Sequence, residues 1–358
     1  MTTIDPNDPN ILYSPYNWLV GPSSAKTANA GAYLRTCIAG APSSLSATFN
    51  MASMNVVDPS HVGFRVDGGS WQIQPCAASI TIALPTDNTW GTHHVEMVMV
   101  SARTGGTRWA SPQDTAVVFT GFTSPSAVST RIARTRNLVG MVIGDSITEG
   151  IKTRTGTTGT AASGSSLLAW AYPLGENLGA EIGVVGWSGQ GIVNGGGGGV
   201  PNFNAAVPYL WSGQARDLTS PRAPDFVACH IGTNDGSQTD AAVTAGSRDM
   251  FNYLLANTPT TTPILVFPGW LQTKVLAIAA GIAACSAPGR VSLVDTTGWW
   301  STVDSSDNLH PFGYINLSDL APRAANAIRA KIVQQGIADT TLTTTIFRKA
   351  PNGMTVQA

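Results

Sequence analysis

Two hydrophobic periods divide this chain. Up to about residue 130, apolar and polar positions alternate in short runs. Val62-Gly63-Phe64-Arg65-Val66 and Trp71-Gln72-Ile73 flank an Asp67-Gly68-Gly69 turn, and residues 94–100 and 115–122 repeat the pattern. A period of two around Asp-Gly predicts hairpins, and several such runs without a helical stripe predict an antiparallel β-sandwich of jelly-roll type. From Leu138 the pattern changes. Continuous apolar runs at 138–143, 182–186, 226–231, 264–267 and 291–294 alternate with helix-like segments at 167–178, 241–256, 271–284 and 315–332. Apolar strands separated by helices predict a mostly parallel sheet covered on both faces. The expected organisation is a sandwich over 1–130, a linker over 131–137, an α/β domain over 138–338, and a β-like tail over 339–358 that packs back on the protein.

At 358 residues the chain exceeds the usual size of one domain, which agrees with two. Charged residues make up 11%, less than half the roughly 25% of ordinary soluble proteins. The surface is therefore rich in neutral polar groups, as suits an extracellular, particle-associated or sugar-facing protein. A net charge of −1 argues against nucleic acid as a partner. The local cluster Arg131, Arg134 and Arg136 reads as a solvated linker. The opening Met1-Thr2-Thr3-Ile4-Asp5-Pro6 has neither the basic nor the apolar segment of a secretory leader, and no apolar run reaches the ~18 residues of a membrane helix, so a soluble protein is expected. Cys37, Cys76, Cys229 and Cys285 lack metal-ligand spacing, although Cys37 and Cys76 could pair.

The chemistry is carried by four blocks. The first apolar strand of the α/β region runs into Gly144-Asp145-Ser146-Ile147-Thr148-Glu149-Gly150, which places one serine hydroxyl at the carboxyl edge of a sheet, where open α/β folds bind ligands. Alone, Ser146 reads as a helix N-cap. A base stands near the end, in Asp307-Asn308-Leu309-His310-Pro311. Asp-x-x-His can fold a carboxylate onto its own imidazole; Asp304, six residues before His310, is the weaker alternative. Trp187-Ser188-Gly189-Gln190-Gly191 and Gly232-Thr233-Asn234-Asp235 lie between. Taken alone, Gly189 reads as a turn glycine and Asn234 as a turn-stabilising residue. Asp145, Thr148 and Asp235 fit as turn holders, and His230 as a buried histidine bonded to a backbone carbonyl. The run Gly195–Gly199 reads as a mobile lid or a plain linker.

In this order the four blocks resemble the SGNH (GDSL-type) hydrolases, over roughly residues 137–335. The resemblance implies a flavodoxin-like three-layer α/β/α domain. It makes Ser146 the nucleophile, His310 the base oriented by Asp307, and the Ser146 N–H, the Gly189 N–H and the Asn234 amide an oxyanion hole. No metal or other cofactor is required. With a β-sandwich in front and the opening motif Tyr13-Ser14-Pro15-Tyr16-Asn17-Trp18, the order of parts is similar to carbohydrate esterases of the acetyl-xylan type. The implied activity is hydrolysis of short acyl esters, chiefly acetyl, on a carbohydrate alcohol. A general carboxylesterase or arylesterase, and a non-catalytic carbohydrate-binding or tail module, are the alternatives. Trp170, Trp187, Trp270, Trp299 and Trp300 all fall in this region, as core or as sugar platforms, and Trp187, beside Gly189, is the expected substrate contact.

Overall fold

A computed structural model of the chain describes residues 2–40, 42–86, 91–154, 159–334, 347–349 and 355–357. The amino-terminal alternation resolves into two facing antiparallel sheets. One is ordered Leu19–Val20, Ala25–Thr27, Val117–Ser124, Ser44–Phe49 and Ser79–Ala83, with Thr2–Ile4 paired to Val117–Ser124. The other is ordered Ser129–Arg131, Tyr33–Ala39, Thr92–Ser101, His61–Val66 and Gln72–Pro75, with Leu12–Tyr13 paired to Tyr33–Ala39. Leu34, Ile38, Leu45, Phe64, Met97, Phe119 and Phe122 fill the space between them. The strand Thr92–Ser101 is buried on both faces. Val95, Met97 and Met99 enter the sandwich core, while Val98 and Val100 pack with Tyr33, Trp71, Leu167 and Tyr172 toward the α/β half.

The second half is a parallel sheet of β1 (Leu138–Gly144), β2 (Ala180–Gly186), β3 (Phe226–Ile231), β4 (Ile264–Pro268) and β5 (Val291–Leu293), ordered β2-β1-β3-β4-β5. That is the flavodoxin-like order, with its switch point between β1 and β3. Alternate residues serve opposite faces. Met141, Ile143, Val227, Cys229 and Val266 meet Met250, Phe251, Leu254 and Ile278, whereas Val142, Ala228, Leu265 and Phe267 meet Trp170, Leu174, Ala324 and Ile328. The helices are Asp240–Asn257, with Val275–Ala283 on the same side, and Ala171–Leu178 with Ala321–Gln334 on the other. The helix expected from 271 begins at Val275, because Gln272 (φ 58°) and Lys274 (φ 61°) hold left-handed backbone that interrupts a helix. No helix among the described residues is long and apolar enough to cross a membrane.

The opening motif forms the seam between the halves. Asn17 donates its amide to the Val184 carbonyl at 3.1 Å and Tyr16 its hydroxyl to the Arg222 carbonyl at 2.6 Å, so residues 14–18 run across edge strand β2. Buried Glu181 of β2 accepts from the Tyr33 hydroxyl, the Arg35 guanidinium and, at 2.8 Å, the Arg136 N–H. The 131–137 segment is therefore not a wholly solvated linker: Arg136 also donates to the Ala180 carbonyl at 3.0 Å. All four cysteines are free, so Cys37 and Cys76 do not pair. In the tail, Phe347–Lys349 pairs antiparallel with Thr355–Gln357, and the β-like run expected over 341–346 lies outside the described residues.

The seam makes one stability prediction. A Cβ on Gly183 would stand 2.1 Å from the Pro15 carbonyl oxygen, a backbone atom that cannot yield without lifting the opening motif off β2. Gly183→Ala is expected to destabilise the protein by about 1–3 kcal/mol, measured as a lower urea midpoint; an unchanged midpoint would show that the seam carries no stability.

Candidate active site

The site is assembled from turns at the carboxyl ends of the parallel strands. A Cβ on Gly144 would collide with Thr148 Oγ1 at 2.0 Å, so only glycine lets β1 turn this sharply into the short helix Ser146–Glu149. The N-cap of that helix is Asp145, whose carboxylate accepts the Ile147 N–H at 3.0 Å. Ser146 is thereby relieved of capping, and its hydroxyl is left to side-chain chemistry. Burial raises the Asp145 carboxyl, but His230, the Ile147 N–H and Thr233 outweigh that and bring it below its ordinary value.

His310 Nε2 lies 2.9 Å from Ser146 Oγ, and His310 Nδ1 lies 2.8 Å from Asp307 Oδ2. The Asp-x-x-His turn explains this geometry. Asn308 adopts φ 59°, and Asp307 Oδ1 accepts the Leu309 N–H at 3.1 Å and the His310 N–H at 2.9 Å. The carboxylate thus fixes its own loop with one oxygen and the imidazole with the other; Asp304 does not meet the ring. Lys152 Nζ also sits 2.8 Å from Asp307 Oδ2, a partner that the sequence did not signal. Burial pushes the Asp307 carboxyl up, yet the Lys152 ammonium and the His310 N–H groups prevail and hold it well below the usual carboxylate range.

The intermediate blocks converge on the same edge. Gly189 takes φ 75°, and Asn234 follows β3 in the turn Thr233–Asp235. The Asn234 amide donates to the Gln190 carbonyl at 2.9 Å, with a longer contact of 3.4 Å to Asp145 Oδ2. Asp235 accepts the N–H groups of Ile192 at 2.7 Å and Val193 at 2.9 Å, and so holds the chain that leaves Gly191. Thr148 Oγ1 accepts from Trp170 Nε1 at 3.2 Å.

Two expectations require correction. Trp187 has no exposed surface: it packs with Ala28, Ala116, Val200 and Leu210 and stands edge-on to Trp109, so it is core and not a substrate contact. Adjacency to Gly189 in sequence misleads here, because the backbone turn at 188–189 sends the indole inward. His230 does not bond a backbone carbonyl; its Nδ1 faces Asp145 Oδ1 at 3.6 Å, and the ring lies against Trp270 with centroids 4.3 Å apart. Trp170, Trp270 and Trp300 are also buried. The exposed aromatic beside the site is instead Tyr314, 60% exposed and stacked on Phe312 with centroids 5.8 Å apart, in the segment that follows His310.

Residues 142–312 match the GDSL-like lipase/acylhydrolase family. No curated protein matches the chain by sequence. Among solved structures, the chain is similar to a family two carbohydrate esterase from Clostridium thermocellum in complex with cellohexaose, at 21% identity and TM-score 0.70 over 90% of this chain and 99% of that one. An acetyl xylan esterase from the rumen bacterium Butyrivibrio proteoclasticus aligns at 16% identity and TM-score 0.75, over 93% of this chain and 100% of that one. A family two carbohydrate esterase from Cellvibrio japonicus gives 19% identity and TM-score 0.71, over 92% and 98%. These likenesses extend over the sandwich as well as the α/β half. Residues 142–312 thus match a GDSL-like lipase/acylhydrolase domain that lies behind an amino-terminal β-sandwich.

Proposed function

We propose that the protein removes short acyl groups, chiefly acetyl, from a carbohydrate through a covalent serine intermediate. The observation that carries this reading is the continuous line Ser146 Oγ, His310 Nε2, His310 Nδ1, Asp307 Oδ2, with contacts of 2.9 and 2.8 Å at its two ends. Ser146 Oγ attacks the ester carbonyl carbon while its proton passes to His310 Nε2. The carbonyl oxygen, now negative, is met by the N–H groups of Ser146 and Gly189 and by the Asn234 amide, whose 3.4 Å contact to Asp145 is the weaker of its two bonds. Collapse of this intermediate breaks the bond to the sugar oxygen, which leaves with the proton from His310. Water then attacks the acyl-Ser146 carbonyl, gives a proton to His310, and the carboxylic acid departs as Ser146 regains its proton. Asp307, ionised throughout, keeps the imidazole in the tautomer that accepts at Nε2.

Carbohydrate as the alcohol is supported by the likeness to carbohydrate esterases and by exposed Tyr314, stacked on half-buried Phe312, which offers its outer ring face to a sugar. With p-nitrophenyl esters from acetate to decanoate, turnover is expected to peak at acetate, and Ser146→Ala is expected to lower it by roughly 10⁴- to 10⁶-fold. Equal turnover in the variant would remove Ser146 as nucleophile and favour a binding module. Tyr314→Ala is expected to raise KM several-fold more for acetylated oligosaccharides than for p-nitrophenyl acetate; equal changes on both would favour a general carboxylesterase.

The pH dependence follows from the sign of the Asp307 shift. Lys152 helps hold this carboxyl low, so Lys152→Met raises it toward the ordinary range. Asp307 must be ionised to hold the imidazole. In the folded variant the Asp307 carboxyl is expected to titrate at higher pH, as read by carboxyl-carbon NMR. Stability follows: the contribution from a depressed carboxylate is complete above its unfolded pKa and is lost as pH falls through the folded one, so in the variant this contribution is smaller and its loss is complete at higher pH. A carboxyl titration unmoved by the substitution would show that Lys152 does not tune Asp307.

A further inference from the structure

The sandwich reaches toward the hydrolytic site through Arg108. Arg108, in the segment between the strands Thr92–Ser101 and Val117–Ser124, has no exposed side-chain surface, and neither does Glu149, the last residue of the Ser146 helix. The two are joined by a two-pronged ion pair: Arg108 Nη1 donates to Glu149 Oε2 at 3.1 Å, and Nη2 donates to Oε1. Glu149 Oε2 also accepts the Ser188 N–H at 2.8 Å. The Ser188 carbonyl accepts the Gly197 N–H at 2.7 Å, and the Gly198 carbonyl accepts the N–H groups of Arg108 at 3.0 Å and Trp109 at 3.3 Å. Both sides of Ser188 are therefore held, one by Glu149 and the other by the glycine run, and Arg108 and its neighbour hold both of those.

The consequence falls on Gly189. The Ser188 carbonyl and the Gly189 N–H belong to one planar trans peptide, so fixing the direction of the first fixes the opposite direction of the second. The glycine run is thus a packed strut and not a lid. A Cβ on Gly197 would lie 2.8 Å from the Thr104 carbonyl oxygen, and one on Gly198 would lie 2.3 Å from the Gly106 carbonyl oxygen; glycine lets the run lie flat beneath the sandwich loop.

We propose that Arg108 is a positioning residue for ester hydrolysis: through Glu149 and the glycine run, it aims the Gly189 N–H at the place where the oxyanion forms. The proposal rests on the oxyanion role given to Gly189 above. An interaction of this kind serves the transition state and not the ground state, and small misplacements of such groups cost up to about a hundredfold.

The test compares Arg108→Met, which strands a buried carboxylate, with the volume-matched neutral pair Arg108→Met/Glu149→Gln, which does not. Folding is checked by near-ultraviolet circular dichroism and melting. In the folded double variant, kcat on p-nitrophenyl acetate is expected to fall about ten- to a hundredfold, with KM within about threefold. The inhibition constant of phenylboronic acid, which Ser146 converts to a tetrahedral adduct occupying the oxyanion position, is expected to rise with the fall in kcat. Wild-type kcat in the double variant, or a fall in kcat with unchanged boronate affinity, would overturn the positioning role. Absence of Ser146-dependent hydrolysis in the wild-type protein would instead overturn the esterase mechanism itself, so the two failures are distinguishable.

Discussion

A carboxylate without solvent contact is tolerable only if every part of its charge is answered inside the protein. Glu149 is such a group, and it stands three residues after Ser146. Its answer comes from two directions: a guanidinium from the sandwich, and the N–H of the residue before Gly189. Satisfying one buried charge therefore obliges the sandwich, the Ser146 turn and the Gly189 block to take fixed mutual positions. Much of the remaining site geometry follows from that obligation.

A second division of labour works at the other end of the site. Asp145 caps the nucleophile helix, so Ser146 need not; Asp307 binds the backbone of its own turn through one oxygen, so the other is available to His310 and Lys152. In both places an acidic residue takes on the structural duty and leaves Ser146 or His310 free of it. Asp235 does the same for the Gln190–Asn194 bend.

The parallel sheet was readable in the sequence because fully buried strands are continuous apolar runs, and the four blocks were readable because each is a short turn at a strand end. Asp307 was readable by its spacing from His310. Lys152 and Arg108 were not. Each meets its carboxylate across 155 or 41 residues of chain, and nothing local distinguishes a lysine or arginine that will find such a partner from one that will remain solvated. Trp187 misled for the opposite reason: it stands beside the Gly189 block in sequence, but side-chain direction is set by backbone geometry at the turn, and the indole is buried. The strand Thr92–Ser101 alternates in sequence like the other strands of the sandwich, yet from Val95 onward it is buried on both faces because the α/β half covers its outer face.

The seam along β2 bears on how this molecule is made and inherited. Residues 14–18 lie against a strand that begins at Ala180, so a growing chain must synthesise more than 160 further residues before its opening motif has a surface on which to rest. Until then Tyr16 and Asn17 lack their partners in the α/β half, the carbonyls of Arg222 and Val184. The same stitching makes the sandwich a poor candidate for transfer between proteins. A recombination event at the 131–137 junction would separate Asn17 from Val184 and Arg108 from Glu149 at one stroke. The two halves are bound to evolve as one heritable unit.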